Sequence, residues 1–325
     1  VGEGESEVTA WLASETAGNP LFLHQILRGL DPADPAAALQ AARDRLPERI
    51  HDVVRWRLSG LSPVVEDALA AASLIGEEFP LDVLATAVGV RELDLRHRID
   101  DAARAGVVRE VGDGRHAAFT HAVVRRTLQD HVGPAQAATL HRRIAEALVA
   151  RDGAAAAEIA HHYLQSAGAE TAPLAVRWAR AAADQARIET AFEGAVWFLS
   201  RAVDVHEIYG DGTAGARGLA CELRLDLADA HDRAGEFIAR DRRHLEAAEL
   251  ARDLDRSDLF TRAALGYGGR LPAAPPTNPR ARKLLEEVLD RLPASDSRAR
   301  ALALARLAHV RPGDAPHAAR KALAA

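Results

Sequence analysis

Apolar residues recur along this chain at the spacing of amphipathic helices. Near residue 20 they stand at i, i+3, i+4 and i+7, at Leu23, Ile26, Leu27 and Leu30. Asn19 and Pro20 mark the start of this predicted helix, because Asn caps free backbone N–H groups and Pro lacks one. Ser62 and Pro63 repeat the device before a predicted helix that runs to about Ile75.

The apolar period changes in the middle of the first half. Two helices are predicted over 79–89 and 91–105, and Gly106 ends the second. Two short strands joined by a Gly-Asp-Gly-Arg turn follow, over 107–111, 112–115 and 116–120. Three helices followed by a hairpin are the order of a winged helix. From His121 onward the pattern predicts helices only.

The second half carries a repeat of 45 residues, seen in Ala183, Ala195 and Ala202 and again in Ala228, Arg240 and Ala247. Small residues at these points let two helices of a hairpin approach closely, which resembles the tetratricopeptide (TPR) pattern. Arg240 departs from that rule. Because a standard TPR has about 34 residues, we expect a longer loop over 209–218. An Ala-rich bundle without strict repetition is the alternative.

Composition narrows the class of protein. The chain is 48% apolar but 4% aromatic, which favours close-packed helices over sheets. Its net charge of −6 argues against a general polyanion binder. A single cysteine, Cys221, excludes an intrachain disulfide framework and predicts a buried thiol in a reducing, cytoplasmic compartment. The sequence shows neither a signal peptide nor an apolar stretch of about 20 residues, so no membrane partner is expected.

The sequence lacks the motifs of a complete phosphate-binding or metal site. Neither Lys283 nor Lys321 follows a glycine, so there is no phosphate-binding P-loop. The pairs His51-Asp52 and His231-Asp232 are typical of HD phosphohydrolases but lack the outlying ligands, and no metal site is predicted. These pairs are interpreted as solvated helix faces.

The helix predicted over 91–105 is the one that a DNA-binding winged helix would insert into a groove. Its four arginines are balanced by four acidic residues, and the turn at 112–115 is neutral. A groove reader should be clearly basic. We therefore expect this region to face protein or nucleotide, with no direct DNA binding.

Five segments taken in order resemble the C-terminal part of the ATPase module in large ATP-binding LuxR-type transcriptional regulators. They are GNPLFLHQIL (18–27), LPERIHDVVRWRLSGLSP (46–63), ALAAASLIGEEFPLDVLATAVG (68–89), AGVVREVGDGRHAAFTHAVVRRTL (105–128) and LHRRIAEAL (140–148). Those regulators are signal-transduction ATPases with numerous domains (STAND), and related bacterial modules are fused to adenylate cyclases and kinases. The helical half, including AALGYGGR (263–270), resembles their sensor region.

The resemblance implies a mainly α fold in three parts. These are a helical lid at 1–45, a winged helix with a short β-hairpin at 46–150, and a TPR-like α-superhelix at 151–325.

The resemblance also implies a partial nucleotide site. In this class a Gly-x-Pro, here Gly18, Asn19 and Pro20, opens a lid helix beside the base of the nucleotide. A His of the winged helix, here His121, approaches the phosphates of bound ADP. Free N–H groups at a helix start suit an anion, and His121 lies where a strand turns into a helix. Arg125 and Arg126, one turn on, would add charge or simply stay solvated.

The implied function is regulatory. We expect a fragment whose nucleotide-binding core lies upstream and whose DNA-binding helix-turn-helix lies downstream, since neither occurs in the chain. ATP or ADP would bind the full-length parent and not bind this chain tightly, and the chain alone would be no enzyme. An effector protein or small molecule on the superhelix would loosen the winged helix, allowing nucleotide exchange and homo-oligomerisation. The alternatives are a free-standing TPR scaffold or adaptor without a nucleotide role, or a sensor region fused to an adenylate cyclase or kinase.

Overall fold

The structure is a computed structural model that describes residues 58, 60–268, 278–293, 295 and 297–310. These residues fall into two compact units that divide between Ala154 and Ala155. The predicted lid at 1–45 lies outside the described residues. Within them, no helix is long and apolar enough to cross a bilayer.

Unit 1 alternates helices with three short strands. Its elements are α1 (Pro63–Ile75), β1 (Glu78–Pro80), α2 (Leu81–Val88), α3 (Glu92–Arg104), β2 (Val108–Val111), β3 (His116–Phe119), α4 (Ala122–His131) and α5 (Pro134–Ala150). The strands form one antiparallel sheet in the order β1-β3-β2. This is the arrangement of a winged helix, so the predicted fold of this region is confirmed.

Glycines set the turns of unit 1 where the sequence predicted them. Gly106 follows α3 with a φ of 69°, a left-handed conformation that L-residues with a side chain rarely adopt. Gly112 and Gly114, with φ of 63° and 76°, form the turn between β2 and β3. The hairpin is thereby fixed in a register that places Val108 opposite Phe119.

Strand β1 corrects the sequence analysis, which ran a helix from residue 79. Phe79 and Pro80 instead lie in a strand that pairs with β3, and α2 begins at Leu81. Phe79 is fully buried, and its ring lies 5.4 Å from that of Phe119 between centroids. A three-residue strand is too short to show an alternating pattern, so the tertiary contact decides its conformation.

The described part of unit 2 is all helical. Its elements are α6 (Ala156–Gln165), α7 (Ala172–Ile188), α8 (Phe192–Tyr209), α9 (Ala214–Ala234), α10 (Phe237–Asp253), α11 (Ser257–Gly266), α12 (Pro279–Arg291) and α13 (Arg298–Val310). Successive helices pack as hairpins, among them α7 with α8 and α9 with α10. The mainly α, TPR-like prediction is confirmed.

The small residues of the predicted repeat are buried between the helices. Ala183 and Ala195 in the first hairpin are at most 1% exposed, and Ala228 and Ala247 in the second are fully buried. Arg240, the exception, is also buried at 6%. Its guanidinium binds Asp232 at 2.6 Å and Asp241 at 2.8 Å. Burial would lower the pKa of Arg240, but its hydrogen bonds to these two carboxylates raise that pKa above its ordinary value.

The prediction of a long loop over 209–218 is wrong. Helix α8 continues to Tyr209 and α9 begins at Ala214, so the connection is short. The Thr213 side chain accepts a hydrogen bond from the Ala216 N–H at 3.2 Å and caps α9. The repeat exceeds the standard length because its helices are long, at 18 residues for α8 and 21 for α9.

Candidate functional site

His121 lies between a strand and a helix, as its sequence position suggested. Strand β3 ends at Phe119 and α4 begins at Ala122. His121 is the N-cap residue of α4 and keeps an extended backbone, with φ of −147° and ψ of 140°. Its side chain is half-buried.

The start of α4 suits a negative charge. The first turn reads Ala-Val-Val-Arg and contains no acidic residue. Backbone N–H groups at a helix N-terminus carry partial positive charge and favour anions. Arg126 is exposed near this end, whereas Arg125 is half-buried and donates Nε to the Ser73 carbonyl at 2.8 Å. The expectation that Arg125 is solvated or free to add charge at the site is therefore corrected.

The other half of the predicted nucleotide site, Gly18, Asn19 and Pro20, lies outside the described residues. Its approach to His121 stays a prediction from the resemblance.

Three arginines in helix α3 and at its N-cap form ion pairs with acidic residues one turn away. Arg91 binds Asp94 at 2.8 Å. Arg96 binds Glu92 at 2.9 Å, and Arg104 binds Asp101 at 2.6 Å. These pairs stand three or four residues apart, so each spans a single helical turn. The face that a DNA-binding winged helix would present is close to neutral.

Arg96 also holds the tip of the hairpin. Its Nη1 donates to the Gly114 carbonyl at 2.7 Å. A Cβ on Gly114 would lie 2.6 Å from Glu110 Oε1, so the turn fits closely over its own strand. One basic side chain of α3 is thus committed to the wing, which lowers the charge available for phosphates.

Unit 2 carries an ion-pair ladder that crosses three helices and consists of Arg180, Glu222, Asp226, Asp229 and Arg262. Asp226 of α9 accepts from Arg180 of α7 and from Arg262 of α11, each at 2.9 Å and each on a different carboxylate oxygen. Arg262 also binds Asp229 at 2.6 Å, and Arg180 stands 3.7 Å from Glu222. The ladder therefore joins the first helices of successive hairpins.

A buried histidine lies beside this ladder. His244 of α10 is 2% exposed, and its Nδ1 makes no hydrogen bond with the described residues. Burial lowers its pKa to about 4, so the ring is neutral at neutral pH. A Cβ on Gly266 would lie 2.0 Å from His244 Cε1, so the ring rests directly on that glycine. The sequence signal for this contact is Gly266 in the segment AALGYGGR, because a glycine inside a helix commonly has a packing reason.

Cys221 and the pair His231-Asp232 are committed to structural contacts. Cys221 is fully buried, its Sγ lies 3.3 Å from the Ala247 carbonyl, and burial raises its pKa to about 11. His231 binds Glu236 at 2.7 Å while the adjacent Asp232 binds Arg240. The two members of this HD pair are therefore engaged with different partners, while His51-Asp52 lies outside the described residues.

Comparisons with known proteins give a distant structural likeness. No protein-family model matches the chain, and no curated protein matches it. Among solved structures it is similar to a STAND protein with a tetratricopeptide repeat sensor from Pyrococcus horikoshii, at 13% identity and a TM-score of 0.35. The match covers 98% of this chain and 50% of that one, so the chain spans half of that protein's length. At this TM-score the likeness carries no functional inference.

Proposed function

We propose that this chain is the regulatory and sensor part of a STAND-type ATP-binding transcriptional regulator. The observation that carries the proposal is the position of His121 at the acid-free N-terminus of α4. A half-buried imidazole beside free helix N–H groups is suited to contact a phosphate. The second half of the site, Gly18, Asn19 and Pro20, contacts the base in the full-length parent.

The helical hairpins of unit 2 bind the effector in this proposal. Ligand binding shifts a two-state equilibrium only by the difference in its affinity for the two states. An effector that prefers the open state therefore weakens the hold of the winged helix on ADP and permits exchange for ATP. Homo-oligomerisation and transcription follow from that exchange.

DNA binding and ATP hydrolysis belong elsewhere in the parent protein. Arg96 and Arg104 of α3 and its N-cap residue Arg91 form ion pairs with acidic residues of the same helix, which disfavours groove binding by this winged helix. Because the sequence has no P-loop, the chain alone is no ATPase in this proposal.

Substitution of His121 tests the proposed function. In the full-length regulator, His121→Ala removes the phosphate contact that favours the closed state, so reporter transcription without inducer should rise severalfold. His97→Ala is the matched control, because His97 is an exposed histidine on α3. Equal basal transcription in the His121→Ala and wild-type proteins would contradict the proposal.

The genomic reading frame upstream of Val1 supplies a second test. An in-frame G-x-x-x-x-G-K-[ST] motif supports the regulator. A start codon with no such motif favours the free-standing scaffold instead.

A further inference from the structure

The carboxyl end of α1 leaves a backbone carbonyl that another helix must satisfy. The last carbonyls of a helix have no intrahelical donor. The Gly76 N–H donates a hydrogen bond to the Ala72 carbonyl at 3.3 Å. The next carbonyl, that of the fully buried Ser73, accepts from Arg125 Nε and from Gln129 Nε2, each at 2.8 Å.

Both donors come from α4, the helix that begins after His121. Arg125 and Gln129 are four residues apart, so their side chains leave α4 on one face and converge on a single oxygen. A guanidinium is also favoured at a helix carboxyl end, where the helix dipole is negative. Val123, Val124 and Leu128 of α4 pack in the core shared with α1, and the two bonds add directional contacts that specify the rotation of α4.

A second anchor lies on the other side of His121. The Thr120 hydroxyl lies 2.9 Å from the Gly106 carbonyl and 3.1 Å from that of Val107. The Thr120 N–H also donates to the Val107 carbonyl, which extends the pairing of β3 with β2. His121 therefore stands between an anchor to the sheet and an anchor to α1.

We infer that Arg125 and Gln129 form a latch that positions His121 and whose opening releases it. The anchor at Thr120 includes backbone pairing, whereas the latch consists of side-chain donors alone. When the latch opens, α4 can turn about the extended backbone of His121 while the sheet stays intact. Arg125 is a positioning residue, and the effect of the latch on output rests on the proposed function.

The first experiment follows the His121 ring itself. Imidazole carbons labelled with carbon-13 are recorded by NMR in this chain, and the His121 signal is assigned by its loss in His121→Ala. Arg125→Gln should shift and broaden that signal. Arg126→Gln is the matched control, since it removes the same charge from an exposed neighbour on the same helix. Arg125→Lys, which keeps the charge and one donor, should restore much of the wild-type signal.

The second experiment measures output in the full-length regulator. Loss of a charged hydrogen bond changes an equilibrium by roughly tenfold or more, so Arg125→Gln should raise basal transcription by a similar factor, and Arg143→Gln, at an exposed arginine of α5, should leave it unchanged. A His121 signal that is equal in Arg125→Gln and in Arg126→Gln would overturn the latch. A shifted signal with unchanged transcription in both Arg125→Gln and His121→Ala would uphold the latch as a structural joint and reject the nucleotide role.

Discussion

Helices α3 and α9 both present charged faces, but they pair their charges differently. On α3, Arg104 and Asp101 belong to the same helical turn. On α9, Asp226 reaches Arg180 and Arg262 on two other helices. The pairs of α3 can form in an isolated helix, whereas the pairs of α9 exist only when three hairpins are stacked.

This difference follows from what each unit buries. Unit 1 has a core that includes the aromatic pair Phe79 and Phe119. The hairpins of unit 2 also bury large side chains such as Phe260, but many of their contacts are made by alanines such as Ala195 and Ala247, which bury little area each. Alanine contacts specify helix spacing weakly, so charged contacts between helices add the register that the small side chains lack. The spacing of the hairpins, and with it the proposed effector surface, is then sensitive to the ladder.

Acidification should produce the largest difference in stability between the two units. In the folded chain His244 has a pKa of about 4, while the unfolded chain has the ordinary value of 6.5. Below pH 6.5 the unfolded state binds a proton that the folded state does not, so stability falls as the pH drops towards 4. The difference corresponds to about 3 kcal/mol of unfolding free energy in unit 2.

Hydrogen-exchange mass spectrometry at pH 7 and at pH 4.5 measures this loss peptide by peptide. The charged residues that interact electrostatically with His244 are Asp229, Arg240, Asp241 and Arg262. These remain in His244→Leu, which places in α10 the residue type found 45 positions earlier at Leu199. An equal acid sensitivity in wild-type and His244→Leu chains would assign the effect to the carboxylates instead.

Removing one carboxylate from α9 and one from α3 tests directly whether pairs between helices contribute more stability than pairs within a helix. Asp226→Asn leaves Arg180 and Arg262 without their shared partner and should destabilise unit 2 by about 2 kcal/mol, because Asp226 is only 16% exposed. Asp101→Asn breaks a local pair on α3 and should cost within about 0.5 kcal/mol. Exchange rates in α7 and α11 should rise for the first variant. Similar small effects for both would mean that the ladder is as weak as a surface pair.

Much of unit 1 could be predicted because proline and glycine mark the ends of its helices. Contacts between residues that are distant in the sequence could not be predicted. Pro63 and Gly106 mark helix ends through their own backbone chemistry, so the bounds of α1 and α3 could be read from the sequence. The ladder joins residues 46 and 36 positions apart, and Arg125 reaches Ser73 across 52 positions. No periodic pattern encodes such separations.

The region around Gly215 and Gly218 was misread for a related reason. The 45-residue repeat is longer than a standard TPR, and the extra length was assigned to a loop over 209–218 because the repeat length does not show where the extra residues lie. In the structure, Thr213 caps α9 and buried neighbours such as Cys221 hold it, so the extra residues extend the helices.

Replacement by alanine should change the stability of unit 2 in opposite directions at two of its glycines. A Cβ on Gly218, inside α9, would meet only Arg256 Nη1 at 3.8 Å, an ordinary contact. Gly218→Ala should therefore stabilise unit 2 by roughly 0.5–1 kcal/mol, since alanine loses less backbone entropy in a helix. Gly266→Ala has the same chemistry but drives a methyl group into the His244 ring, and should destabilise the chain. If both variants gained stability by urea denaturation, the contact between His244 and Gly266 would not be tight, and neither would the joint it forms between α10 and α11.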